Sequence, residues 1–203
     1  RRFLFPLGNY TKQEVREYLK AKGFESKAKG GESMEVCFIE GDYRDFLRQQ
    51  CPDIDTRIGP GYFVDSKGVK IGQHKGFPYY TIGQRKGLGI GGRKESLFII
   101  GTDVKENVVF VGEGDSHPGL YRKALRIAPE EVHWIDPKDV MSVGERRRYM
   151  VRIRYRQPLQ RAELICDEDG LYILFDEPQR GITSGQFAAW YDGDIVVGSG
   201  VIG

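Results

Sequence analysis

No stretch of this sequence approaches the roughly 18 consecutive apolar residues that a membrane-spanning helix requires, so a soluble protein with no membrane partner is expected. Net charge is also nearly absent. Thirty-one Lys and Arg face 29 Asp and Glu over 203 residues, a formal +2, and no gross basic excess marks a polyanion partner. Cysteine is scarce: Cys37, Cys51 and Cys166 are odd in number and far apart, which excludes a disulfide framework and supplies no metal-ligand spacing. A reducing, cytoplasmic setting is the expectation. His74, His117 and His133 stand isolated, with no second ligand at metal spacing, so no metal site is expected. There is no long internal repeat and no low-complexity segment, and no initiator Met precedes Arg1-Arg2-Phe3, as in a piece cut from a longer chain.

Glycine, by contrast, is abundant. Its 27 residues are about twice the usual ~7% share yet aperiodic, which points to many turns and short strands. Helices are expected only near the start. Thr11-Lys12-Gln13-Glu14 forms a capping box ahead of Val15, Tyr18 and Leu19, and Gly23 stands where a left-handed residue ends the helix. A second short helix runs from Asp42 to Gln50 and stops before Pro52, after which helices should end. From Gly61 onward apolar runs alternate with turns. Tyr62–Val64 with Val69–Ile71, and Leu97–Gly101 with Val108–Val111, read as hairpins. Between them Tyr79 to Gly92 starts as a strand and dissolves into a Gly-rich loop needing unusual backbone angles. Beyond about residue 120, Asp169-Gly170 and Asp192-Gly193 mark further hairpins, a spacing that suits a small barrel or sandwich.

Charge is unevenly spread along the chain. Residues 121–161 hold eleven Lys and Arg against five Asp and Glu, and residues 162–203 hold one against eight. Within the basic part, Arg148 to Arg156 alternates: Tyr149, Val151, Ile153 and Tyr155 on a core side, Arg148, Met150, Arg152, Arg154 and Arg156 on the other. That second side can position an RNA backbone, or it can pair with the acidic strands that follow. Arg85 and Lys86, in the loop from Gly83 to Gly92, can help backbone amides hold a phosphate, or the loop is purely structural. It lacks the Gly-Lys-Ser or Gly-Lys-Thr of a Walker A loop. Cys37 follows the Gly- and Lys-rich stretch from Lys27 to Gly31 and is either a nucleophile activated by nearby cations or a small hydrophobe in a strand. Cys51 and Cys166 have no such context.

In order along the chain stand Phe5-Pro6-Leu7-Gly8, Ser33 and Val36-Cys37-Phe38-Ile39, the segment from Tyr80 to Gly92, Arg154-Tyr155-Arg156-Gln157, Phe175-Asp176-Glu177-Pro178 and Ser184-Gly185-Gln186. With these motifs the chain resembles the C-terminal part of the bacterial tRNA-specific 2-thiouridylase family, once described as tRNA methyltransferases. The resemblance implies a reaction in which ATP adenylates the 2-carbonyl oxygen of the wobble uridine and a persulfide sulfur then displaces AMP. Cys37 matches the cysteine that carries the persulfide, loaded by a sulfur donor protein. Its disulfide-forming partner cysteine, the Ser-Gly-Gly ATP pyrophosphatase loop and the ATP site lie in a domain that this chain does not contain. The family's tRNA contacts fall on Arg154, Tyr155 and Gln186. Two positions depart from the pattern, Glu32 for the usual Asp and Glu35 for the usual Gly, and a carboxylate near Cys37 raises a thiol pKa.

The expected fold is mainly β with a short helical N-terminal segment. Residues 1–55 form the edge of the absent catalytic domain, 56–120 a small β-rich central domain, and 121–203 a C-terminal β-barrel. The expected activity is tRNA-uridine 2-sulfurtransfer by the full-length protein, with this chain alone inactive. The alternative is a noncatalytic tRNA-binding module.

Overall fold

The computed structural model describes residues 5–25, 42–155 and 157–203, in two compact units, Arg1–Cys51 and Pro52–Gly203. In the first unit α1 spans Lys12–Ala21. Its capping box is complete: Thr11 Oγ1 accepts from the Glu14 amide, and a Glu14 carboxylate oxygen accepts from the Thr11 amide at 2.7 Å. The Thr11 amide and the Thr11 hydroxyl both donate to that carboxylate and hold the Glu14 carboxyl below its ordinary value. Gly23 follows the C-cap at φ +84°, the left-handed conformation expected of it. α2 spans Tyr43–Gln50, and the Asp42 side chain caps it by accepting from the Arg44 amide. Cys37 lies outside the described residues, as does Arg156.

The second unit begins with a helix that the sequence reading did not anticipate, α3 at Ile54–Ile58. Pro52 ends α2 but leaves a new turn free to start after it. β1 (Gly61–Asp65), β2 (Lys70–His74), β3 (Leu97–Asp103) and β4 (Val108–Glu113) then form a four-stranded sheet in the order β2-β1-β4-β3. Both expected hairpins are present, and parallel pairing of β1 with β4 joins them. Phe63, Ile99, Val109 and Val111 make the core of the sheet, and Leu88 and Ile90 reach into it from the Gly-rich segment. That segment does not begin as a strand. Phe77–Tyr79 is a short 3-10 turn, because Pro78 at its start has no amide to donate to a ladder and fixes φ near the helical value.

The remaining strands close a six-stranded antiparallel barrel: β5 (Tyr121–Trp134), β6 (Arg146–Arg152), β7 (Gln160–Asp167), β8 (Gly170–Arg180), β9 (Phe187–Asp192) and β10 (Ile195–Ile202), in the order β10-β5-β8-β7-β6-β9. Closure leaves no open sheet edge, and the inward residues Ile127, Val151, Leu164, Ile173, Phe175 and Trp190 fill the interior. Trp190 is fully buried and meets Trp134 edge to face at 5.1 Å. The chain opposite it must be glycine. A Cβ on Gly198 would stand 2.5 Å from the Trp190 ring and 2.6 Å from the His133 carbonyl oxygen. Gly198→Ala is therefore expected to destabilise the barrel by about 1–3 kcal/mol, read as a lower urea midpoint with an unchanged slope. An unchanged midpoint would show that the indole has room to move.

Candidate nucleic-acid interface

Strand β6 carries the basic face and divides it in two. Arg146 pairs with Glu163 at 3.3 Å and Arg148 with Asp176 at 2.6 Å, so two of its outward arginines are neutralised by the acidic strands β7 and β8. Arg152 and Arg154 have no carboxylate partner among the described residues. The strand ends at Arg152, earlier than strict alternation implied, and Tyr155 is not on the core side: 79% of it is exposed. The cause is local. Past Ile153 the ladder is replaced by a side chain, the Gln157 amide oxygen accepting from the Ile153 amide at 3.0 Å, and Pro158 then interrupts pairing.

Arg154 and Gln157 are braced at this turn. The Arg154 guanidinium donates through Nη2 to the carbonyls of Arg180 and Gly181, which fixes the side chain and leaves its other N–H groups free to donate. Gln157 donates to Gln179 at 2.7 Å, and the buried Gln179 donates in turn to the Glu177 carbonyl and to Gln160. The Arg152 guanidinium lies 5.8 Å from the Tyr191 ring centre, and its buried Nε has no hydrogen-bond partner.

Two cavities meet here. One, about 490 Å3, is lined by Arg152, Arg154, Tyr155, Gln186, Phe187 and Tyr191 among others. The second, about 310 Å3, shares Arg154 and Gln186 with it and is closed by Thr81, Ile82 and Gly83 of the sheet part and Arg180 of β8. Thus Arg154, Tyr155 and Gln186, which the sequence singled out separately, stand at one place. Arg180 also pairs with Asp115 at 2.6 Å and packs 5.0 Å from the Phe98 ring, fastening the barrel to the sheet beside the cleft.

Arg85 and Lys86 line neither of those two cavities, although Arg85 shares a neighbouring one with Arg180. Arg85 lines an open cavity of about 640 Å3 with glycines 87, 89, 91 and 92, while Lys86 lines neither this cavity nor the two above. Positive φ angles at Gly83, Gly87, Gly89 and Gly92 bear out the unusual backbone expected of this loop. Hydrogen bonds from Gly83 to the Ile99 carbonyl and from Ile99 to the Gln84 carbonyl tie its base to β3.

Among the described residues no group of three His, Cys, Asp or Glu side chains could hold a metal ion. His74 is buried against Phe63 and Tyr80, accepts from the Gly76 amide through Nδ1, and is pushed below its ordinary pKa by desolvation. Burial, with Glu145 and Asp167 nearby, pushes the Cys166 thiol up, the opposite of what a nucleophile needs. No described helix is long and apolar enough to cross a membrane.

Sequence reasoning missed three residues of this interface. Phe187 looked like one more strand hydrophobe, Arg180 belongs to an acidic segment, and Gln179 carries no motif. Only the exposed end of β9 and the meeting of sheet and barrel give them a role.

Comparison with known proteins covers nearly the whole chain. Residues 1–41 match the tRNA methyl transferase HUP domain, 44–113 the tRNA methyl transferase PRC-barrel domain, and 124–202 the aminomethyltransferase beta-barrel domain. The tRNA-specific 2-thiouridylase MnmA 3 of Phocaeicola vulgatus is 52% identical over 202 residues, 99% of this chain and 52% of that protein. The protein of the same name from Bacteroides fragilis is 48% identical, over 100% of this chain and 54% of the relative. The tRNA-specific 2-thiouridylase MnmA of Christiangramia forsetii is 40% identical, over 98% and 58%. The chain thus spans about half the length of the curated relatives it matches. Motifs, barrel and sheet agree with these matches from one end to the other, and the chain belongs to the tRNA-specific 2-thiouridylase family.

Proposed function

We propose that the chain is the tRNA-docking and sulfur-carrying part of a tRNA-uridine 2-sulfurtransferase. Residues 1–55 complete an ATP pyrophosphatase domain supplied by the rest of the protein, 56–120 form the central domain, and 121–203 the docking barrel. A cytoplasmic setting fits this role. ATP activates the 2-carbonyl oxygen of the wobble uridine at a site outside this chain. The terminal sulfur of a Cys37 persulfide, loaded by a donor protein, attacks C2 and AMP leaves with the oxygen; the thiolate of the partner cysteine outside this chain then attacks Cys37 Sγ, which breaks the S–S bond, leaves the sulfur on C2 and joins the two cysteines in a disulfide. Arg154, Tyr155 and Gln186 hold the tRNA.

The observation that carries the docking half is Arg154. It has no carboxylate partner among the described residues, is pinned by two backbone carbonyls, and sits between two cavities beside the exposed Tyr155 ring. A cation fixed without a counter-charge suits a phosphate, whose negative charge it meets without reorganising. The test is binding of a tRNA transcript to the chain across a salt series. Arg154→Ala is expected to weaken binding severalfold and to lower the slope of log K against log salt by about 0.9, one phosphate contact. An unchanged slope would remove Arg154 from the phosphate-contacting surface.

A further inference from the structure

Phe187 opens β9 with 64% of its surface exposed, unlike Ala188 and Trp190 on the same strand, which are buried. It lines the cavity of about 490 Å3 together with Tyr155, itself 79% exposed, and with Tyr191, over which the Arg152 guanidinium lies. Three aromatic rings and two arginines without carboxylate partners among the described residues therefore share one open cleft. The volume falls within the roughly 300–1,000 Å3 typical of small-ligand sites, so the cleft has room for a nucleoside-sized group. A phosphate-docking face needs no large exposed apolar ring. An unpaired nucleotide needs both parts, a π-face for its base and a cation for its phosphate.

We infer that this cleft takes one unpaired nucleobase of the bound RNA, stacked on Phe187 with Tyr155 as the second aromatic wall and its flanking phosphates on Arg152 and Arg154. The inference rests on the tRNA-docking reading above and adds Phe187 as a binding residue. Several features of the cleft agree on this occupant. The buried Nε of Arg152 has no partner, so the guanidinium can still gain a hydrogen bond from a ligand. Gln186, with an amide that both donates and accepts, lines the same cleft and can meet a base edge. A peptide partner would leave the two unpaired cations unanswered unless it were acidic, and an acidic peptide offers no planar ring to stack.

The test uses the chain and two probes, a tRNA transcript and a short single-stranded RNA with 2-aminopurine at its centre. Phe187→Ala should weaken binding of both by about five- to a hundredfold, with the salt slope unchanged and the melting temperature intact. Phe187→Trp should restore affinity. Quenching of 2-aminopurine on binding should persist in the wild type and the Trp variant and disappear in the Ala variant. Wild-type affinity and quenching in Phe187→Ala, with Arg154→Ala still defective, would overturn the stacking site and leave RNA docking standing. No RNA binding by the wild-type chain, or wild-type affinity and slope in Arg154→Ala as well, would overturn both. A fall in salt slope in Phe187→Ala would make its effect electrostatic, and that too would overturn the stacking site.

Discussion

Cys37→Ser in the full-length protein is expected to reduce 2-thiouridine formation by at least about a thousandfold while tRNA affinity stays at the wild-type value. The exchange is nearly isosteric, so a purely structural cysteine would tolerate it. It is chemically decisive, because a serine hydroxyl cannot carry a sulfane sulfur as a persulfide and deliver it to C2. The effect should therefore fall on the chemical step and spare docking, which the proposed function places on Arg154, Tyr155 and Gln186. Cys51→Ser and Cys166→Ser are the controls. Cys51 caps the end of α2, and Cys166 lies half-buried in β7 with its thiol pushed up by burial, so neither change should slow thiolation. The assay supplies ATP, tRNA and a persulfide donor and measures 2-thiouridine. Undiminished thiolation by Cys37→Ser would make Cys37 a packing residue and leave the noncatalytic tRNA-binding module as the better reading.

Much of the fold was legible because its signals are local. The Thr11 to Glu14 box, the αL position of Gly23, the two sheet hairpins and the Asp192-Gly193 turn each depend on a few adjacent residues, and the structure forms each of them. What was illegible depends on partners distant in sequence. Alternation correctly placed Arg148, Arg152 and Val151 but could not say that Asp176 takes Arg148 while Arg152 lies over Tyr191. It also carried the strand too far, since the Ile153 amide donates to the Gln157 side chain and so ends the ladder that periodicity would have continued to Tyr155. The meeting of Arg154 with Gln186 and with Thr81 to Gly83 is a property of the closed barrel seated beside the sheet. Phe187 shows the same limit at a single residue. Its type predicts burial, and only its place at the mouth of the strand exposes it.

The chain by itself is expected to form no 2-thiouridine from tRNA, ATP and a persulfide donor, and to regain activity when the N-terminal half is supplied. The reason lies in the leaving group. Displacement at C2 of an unactivated uridine would have to expel oxide or hydroxide, whereas adenylation converts the same oxygen into part of AMP, a stable anion. That activation needs a site that cradles the phosphates of ATP. The open Gly-rich loop beside Arg85 lacks the Gly-Lys-Ser or Gly-Lys-Thr that brings a lysine onto the β- and γ-phosphates, and its base is tied to β3 rather than leading into a helix. The proposed function thus separates sulfur carrier and RNA dock from the step that makes the carbon electrophilic, and neither is expected to suffice alone. Mixing the two halves should restore turnover in proportion to the complex formed, and Cys37→Ser in this half should silence the mixture. Sulfur incorporation by the chain alone would overturn this division of labour and require an activating site within residues 1–203.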